Sequence, residues 1–224
     1  MIDIEITNYC QAACSSCPRT NSSTGSAWEW LKLKHVDTDQ VCDTVDSIVA
    51  GMLPNTDFVI KLCGEWGDPG MHPDLLEIVQ YAAHNPGVSQ IIVNTNGGLR
   101  TPDYWVKLGS VAPEKVSVVW GIDGTDHATN DLYRRNVNTQ RAIENMRAFN
   151  DAGYRCEWQY LAFIWNRHDW PKLVLAQEEY GVPVCFKLGS TIPRYRITDP
   201  MIMEEYRFIQ EQTRRNNFDI RGHS

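Results

Sequence analysis

No stretch of this 224-residue chain is long and apolar enough to cross a bilayer. Its longest apolar runs, such as Tyr160 to Trp165, fall far short of the roughly 20 residues a spanning helix needs. The opening Met1-Ile2-Asp3-Ile4-Glu5 lacks the basic, apolar and small-residue order of a secretory signal and reads as a strand. A soluble, cytoplasmic protein is therefore expected, with no membrane partner. Positive charge is also scarce: 21 Lys and Arg stand against 28 Asp and Glu, a net charge of −7. That argues against sequence-independent binding to nucleic acid, which relies on basic contacts to phosphates. Arg134-Arg135 and Arg214-Arg215 are the paired candidates for a local basic patch. No linker, low-complexity segment or break in composition divides the chain, so one domain is expected. With 42% apolar and 22% charged residues, wholesale disorder is excluded.

Cysteine is present in the wrong number for a disulfide framework. There are seven, an odd count in a chain without a secretory signal. Three crowd together as Cys10-x3-Cys14-x2-Cys17, while Cys42, Cys63, Cys156 and Cys185 are scattered singly.

Apolar periodicity switches repeatedly between two and 3.6 along the chain. Ile2, Ile4 and Ile6 alternate with polar residues and lead into the cysteine cluster. A helix carrying Val41, Val45, Ile48 and Met52 follows, with Thr38 as N-cap candidate. Further strands are expected at Phe58 to Cys63, Gln90 to Thr95, Val116 to Ile122, Cys156 to Trp165 and Val184 to Leu188. Helices are expected between them: one with Pro73 near its first position, one from Thr101-Pro102 closed by Gly109, one behind Thr139, and one capped by Asp169-Trp170-Pro171 and ending before Gly181. A last helix should run from Asp199-Pro200 to about Asn216. Six strand–helix units indicate an α/β fold with a parallel sheet and right-handed crossovers. Six units are too few for a closed eight-unit barrel, leaving an open doubly wound sheet or a partial six-stranded barrel. Either places the loops after the strands on one face. Those loops hold the cysteines, Gly64 to Pro69, Thr95 to Gly98, Gly121 to Gly124 and Asn166 to Asp169.

Thiolates bind zinc or iron–sulfur clusters. A structural zinc site wants four protein ligands, and the only nearby addition to the three cysteines is His35. Three ligands suit a four-iron cluster with one iron left for an exogenous ligand.

Cys10-Gln-Ala-Ala-Cys14-Ser-Ser-Cys17-Pro18-Arg19 resembles the "CNAACPxCPR" variety of the radical S-adenosylmethionine (SAM) superfamily signature, the CxxxCxxC type. Gly64-Glu-Trp-Gly67-Asp68-Pro69-Gly-Met-His72-Pro73-Asp74-Leu75 is similar to the family's "GxGEPLLHPDL". Asn94-Thr95-Asn96-Gly97-Gly98-Leu99 resembles "STNGxxL", and Gly121-Ile122-Asp123-Gly124 with Asn130-Asp131-Leu132-Tyr133-Arg134 resembles "SIDGxxxxxHDxxR". The likeness spans all six units, residues 1 to about 190.

The resemblance implies a partial (β/α)6 TIM-like barrel in one domain, with residues 1–190 as the core and 191–224 as a helical extension. It implies a [4Fe–4S] cluster on Cys10, Cys14 and Cys17, whose fourth iron is chelated by the SAM amine and carboxylate. Reductive cleavage of SAM would then give a 5′-deoxyadenosyl radical that abstracts hydrogen, oxidoreductase chemistry fed by a donor such as flavodoxin or ferredoxin. Gly67 and Asp68 match the stretch that receives the SAM amino group, with Asp68 standing where Glu is usual. Asn96 would meet the ribose or support its own loop as an Asx turn. Asp123, in the fourth motif, is expected among the cofactor-binding residues, Arg134 aligns with an arginine that pairs with the SAM carboxylate, and Ser16 would offer its backbone to adenine. Gly121 replaces a serine that often reaches SAM.

Glu157, Gln159 and Lys187 interrupt apolar strands and read as a polar lumen or as surface positions. Cys63, Cys156 and Cys185 read as hydrogen donors or as small buried hydrophobes. Trp28 and Trp30 are expected to pack onto the barrel. The core resembles that of the SPASM/twitch branch, whose cysteine-bearing C-terminal extension is expected to be absent. A peptide or a small metabolite is the implied substrate class, with activation of a glycyl-radical partner another possibility. The competing reading is a non-catalytic iron–sulfur or zinc protein on the same scaffold.

Overall fold

Alternation of apolar and polar side chains gives six short strands one shared outer face. In the computed structural model, which describes residues 1–62, 65–189 and 197–221, the strands are β1 (Ile2–Ile4), β2 (Phe58–Leu62), β3 (Val88–Thr95), β4 (Val116–Gly121), β5 (Cys156–Ala162) and β6 (Val184–Leu188). Cys63 and Gly64 lie outside the described residues. Each strand pairs in parallel with the next in sequence, in the order β1-β2-β3-β4-β5-β6, and the sheet is not closed. The helices are α1 (Thr38–Ala50), α2 (Leu75–His84), α3 (Pro102–Ser110), α4 (His127–Asp131), α5 (Thr139–Asp151), α6 (Trp170–Tyr180) and α7 (Pro200–Arg221).

The outward residues of the strands meet the helices in one core. Ile60, Leu62, Ile91, Val93, Val118, Trp120, Trp158, Tyr160 and Phe186 pack with Leu75, Trp105, Phe149, Leu173 and Tyr206 from the helix layer. Trp120 anchors this layer edge-on to Trp105 at 4.9 Å and to Phe149 at 5.9 Å between ring centroids. Among the described residues no helix is long and apolar enough to cross a membrane.

Local details depart from the periodic reading for identifiable reasons. Thr38 is the first residue of α1, and its cap is Asp37, whose carboxylate accepts from Asp39 N. Pro73 precedes α2, whose cap position is Asp74. Gly109 does not close α3 but lies within it. A Cβ there would come within 2.3 Å of the Tyr154 ring, so the glycine serves packing rather than termination. Past Ala162 the apolar run leaves the sheet for a 3₁₀ turn over Ile164–Asp169, because the Asn166 side chain binds the backbone of Leu161 and Phe163. Asp169 makes no cap bond to α6; its carboxylate accepts from Thr125 and Tyr160 instead. Gly181 ends α6 in the left-handed conformation, as its position suggests.

Candidate cofactor site

The loop after β1 turns back on itself twice, through Cys17 N to Cys14 O and Thr20 N to Cys17 O. It is tied to the loop after α4 by Ala13 N to Arg135 O at 3.0 Å. Cys14 is buried against Ala12 and Val137, and Cys10, Cys17 and Tyr133 pack beside them. Burial pushes the Cys10 thiol up to about 12, with the charge of Asp68 adding to the effect. Burial likewise pushes Cys14 up to about 11 against the pull of Arg134. A ligand that takes these sulfurs as thiolates must displace their protons. Among the described residues no group of three or more His, Cys, Asp or Glu converges to hold a single metal ion. The three cysteines instead line one cavity of about 390 Å³. His35 stands elsewhere, stacked on Tyr9 at 4.6 Å.

The loop after β2 closes onto the cysteine loop through a glycine that has no room for a side chain. A Cβ on Gly67 would lie 2.2 Å from Thr7 O and 2.9 Å from Asn8 Cα. Asp68 N then donates to Tyr9 O at 2.8 Å. Asp68 lines the cavity, but it is only 3% exposed and its carboxylate is fully engaged. It accepts from Gly70 N, Thr95 Oγ1, Asn96 N and Asn96 Nδ2. Burial pushes its pKa above the ordinary carboxylate value, against the pull of these donors. The Asp68 side chain is thus a strut between the loops after β2 and β3.

Asn96 fulfils its local role: Oδ1 accepts from Gly98 N at 3.0 Å, an Asx turn. The same side chain accepts from Gln11 Nε2 at 2.7 Å and approaches Cys10 Sγ at 3.7 Å, so it also lines the cavity beside a thiol.

Arg134 is not a solvated helix-start residue. Its Nε donates to Asp123 Oδ2 at 2.6 Å, and Asp123, wholly buried, also accepts from Leu161 N. Burial works against the Arg134 charge, but the Asp123 carboxylate holds its pKa above the usual value. The guanidinium reaches the cavity wall beside Gly121, and a Cβ on Gly121 would come within 2.7 Å of Arg134 Nη2. In this chain the arginine occupies the space that a side chain at position 121 would take.

Ser16 also lines the cavity, and its hydroxyl is buried without a partner. Four cavity-lining or supporting residues lie within the quoted stretches without having been singled out. Gln11 and Arg19 lie inside the cysteine loop, and Tyr133 packs at a tilt against Phe163 and Trp165; Trp66 lines the cavity. The "PR" after Cys17 was the one available signal for Arg19. Trp30 does not pack onto the barrel: it is 64% exposed and meets Trp66 edge-on at 6.1 Å. Trp28 Nε1 donates to Pro18 O. Cys156 belongs to the outer core, with Sγ 3.7 Å from Asn150 Oδ1. Lys61 pairs with Asp3 at 3.6 Å and Lys187 Nζ donates to Gln159 at 3.1 Å; Asp3, Lys61 and Gln159 line the cavity.

The donor set fits a thiolate-bound cluster with an amino-acid ligand beside it. Three thiols line the one cavity, and each can bind a separate iron as a thiolate. Arg134 offers a cation to a carboxylate, and Ser16 a hydroxyl still lacking a partner.

Comparison with known proteins bears on the family and the fold. The mycofactocin maturase MftC of Mycolicibacterium smegmatis is 29% identical over 151 residues, 67% of this chain and 34% of that protein. The AdoMet-dependent heme synthase of Methanosarcina barkeri is 29% identical over 134 residues, 60% of this chain and 34% of that protein. The chain spans about a third of the length of these curated relatives. Among solved structures, Streptococcus suis SuiB bound to S-adenosylmethionine superposes with a TM-score of 0.63 at 14% identity, covering 93% of this chain and 45% of that one. SuiB bound to its precursor peptide SuiA gives 0.66. The Radical SAM superfamily pattern matches residues 4–175. The superfamily uses a [4Fe–4S] cluster and SAM, and the chain belongs to the Radical SAM superfamily.

Proposed function

We propose that the chain is a radical SAM enzyme of the CxxxCxxC type, with Cys10, Cys14 and Cys17 as cluster ligands and SAM in the adjoining cavity. The observation that carries this reading is one cavity that gathers the three thiols, the Arg134 guanidinium and the unpartnered Ser16 hydroxyl. Bound there, cluster and SAM together supply one-electron reductive cleavage to methionine and a 5′-deoxyadenosyl radical.

The protein's part is to hold and orient. Arg134, aligned by Asp123, pairs with the SAM carboxylate. Gly67 brings the backbone of its loop against the cysteine loop, where a carbonyl can receive the SAM amine. Asp68 acts through its hold on Asn96, and Ser16 meets the adenosyl part. The inner row of Asp3, Lys61, Gln159 and Lys187 suits a polar substrate. SuiB was solved with a precursor peptide, which supports a peptide as the first class to test and small polar metabolites as the second. The core resembles the SPASM/twitch branch, with residues 1–190 as the barrel and 191–224 as its helical extension. A cytoplasmic setting and a flavodoxin or ferredoxin donor complete the reading.

The test is EPR of anaerobically reconstituted, dithionite-reduced protein with and without SAM, plus chromatography. A [4Fe–4S]+ signal altered by SAM, together with 5′-deoxyadenosine, is expected. Stoichiometric zinc, or a cluster spectrum that ignores SAM, would sink the proposal.

A further inference from the structure

The cysteine loop buries a cation that has no counterion among the described residues. Arg19 is 6% exposed, and one of its terminal nitrogens donates to the backbone carbonyl of Cys10, a neutral acceptor. Its Nε is buried and has no partner. Among the described residues no carboxylate pairs with it, whereas Arg134, across the same cavity, is paired with Asp123. An isolated charge is costly to bury, so a buried guanidinium calls for an anion beside it. Arg19 lines the cavity that holds Cys10, Cys14 and Cys17. These are the groups that become anionic when a cluster binds.

We propose that Arg19 is the countercharge of the thiolate-bound cluster, a positioning residue that favours the cluster's reduced state. The inference rests on the cluster assignment above. Three thiolates make the bound cluster a net anion, and reduction adds one more electron. A permanent cation nearby stabilises the more negative state. At an effective dielectric of 20, a unit charge about 10 Å away shifts such an equilibrium roughly tenfold. Arg134 does not serve this purpose in the same way, because Asp123 already compensates its charge.

The experiment compares wild type, Arg19→Lys and Arg19→Gln, each reconstituted anaerobically as the full chain. Iron and sulfide are quantified, and the cluster is then titrated potentiometrically with dithionite and followed by EPR. SAM is left out, so that a lost contact to its carboxylate cannot move the result. Arg19→Gln is expected to disfavour the reduced cluster about tenfold, a midpoint about 59 mV lower for a one-electron couple. Arg19→Lys, which keeps the charge, should stay close to wild type. Loss of the cluster from Arg19→Gln alone would support the same role. A fully loaded Arg19→Gln with the wild-type midpoint would overturn it. Loss of the cluster from both variants alike would make Arg19 a shaper of the loop and also overturn the proposal. A wild type that takes up no cluster defeats the underlying assignment, and that failure shows in the unaltered protein alone.

Discussion

Along β4, Val116, Val118 and Trp120 join the core beneath the helices, while Val119 and Gly121 line the cavity. Along β5, Trp158 and Tyr160 join the core, while Gln159 lines the cavity. Parallel strands are usually covered on both faces and read as near-continuous apolar runs. Here only the outer face is sealed that way. The inner face carries Asp3, Lys61, Asn94 and Gln159 around open space. Lys61 pairs there with Asp3 and Gln159 with Lys187, while in the cysteine loop the Ser16 hydroxyl and Arg19 Nε are buried without a partner among the described residues. One set of strands therefore divides its labour residue by residue: the outer positions supply stability and the inner ones chemistry.

Substitutions on the two faces should separate these roles. The largest effect is expected from Cys14→Ala. Iron content after reconstitution should fall to background and 5′-deoxyadenosine formation should cease. The stability of the metal-free protein should move by no more than about 1 kcal/mol in denaturant titration. Iron retained at the wild-type level would place the cluster ligands elsewhere.

Trp120→Ala should show the reverse signature. Removing a wholly buried tryptophan from the outer core should cost about 3–5 kcal/mol of unfolding free energy. The iron bound per folded molecule should stay unchanged. A loss under about 1 kcal/mol would mean that the outer face does not carry the fold.

Gly121→Ser tests the border between the two faces. Its Cβ would come within 2.7 Å of Arg134 Nη2, so the guanidinium must move. SAM affinity measured by calorimetry should fall about tenfold, the value of about 1.4 kcal/mol of lost charge-assisted bonding. Unaltered affinity would show that Arg134 does not hold the SAM carboxylate.

The smallest effect is expected at Gln159→Ala, within about 0.5 kcal/mol of wild-type stability, because the side chain faces the cavity and not the core. A loss above about 2 kcal/mol would erase the distinction between the faces.

Much of this plan was legible in the linear chain. Hydrophobic period is a local property, so the spacing of Ala142, Ile143, Met146 and Phe149 marks the inward side of α5 by itself, and all four are buried. The polar interruption at Gln159 already hinted at a lumen. Boundaries were less legible, because side chains decide them. Asn166 ends the extended run after Ala162, and the Tyr154 ring explains Gly109. The short helix α4 carries too few residues to show a period.

The order of residues alone determined the six strand–helix units, the cysteine loop and the loops that could gather around it, since each depends on neighbours a few positions apart. Only the tertiary structure decided what each polar side chain does there. Asp68 meets donors from Thr95 and Asn96, Gly121 yields its space to Arg134, and Arg19 is buried with no carboxylate partner among the described residues. Hydrogen bonding and charge burial depend on distances across the folded cavity, and separation along the chain does not encode those distances.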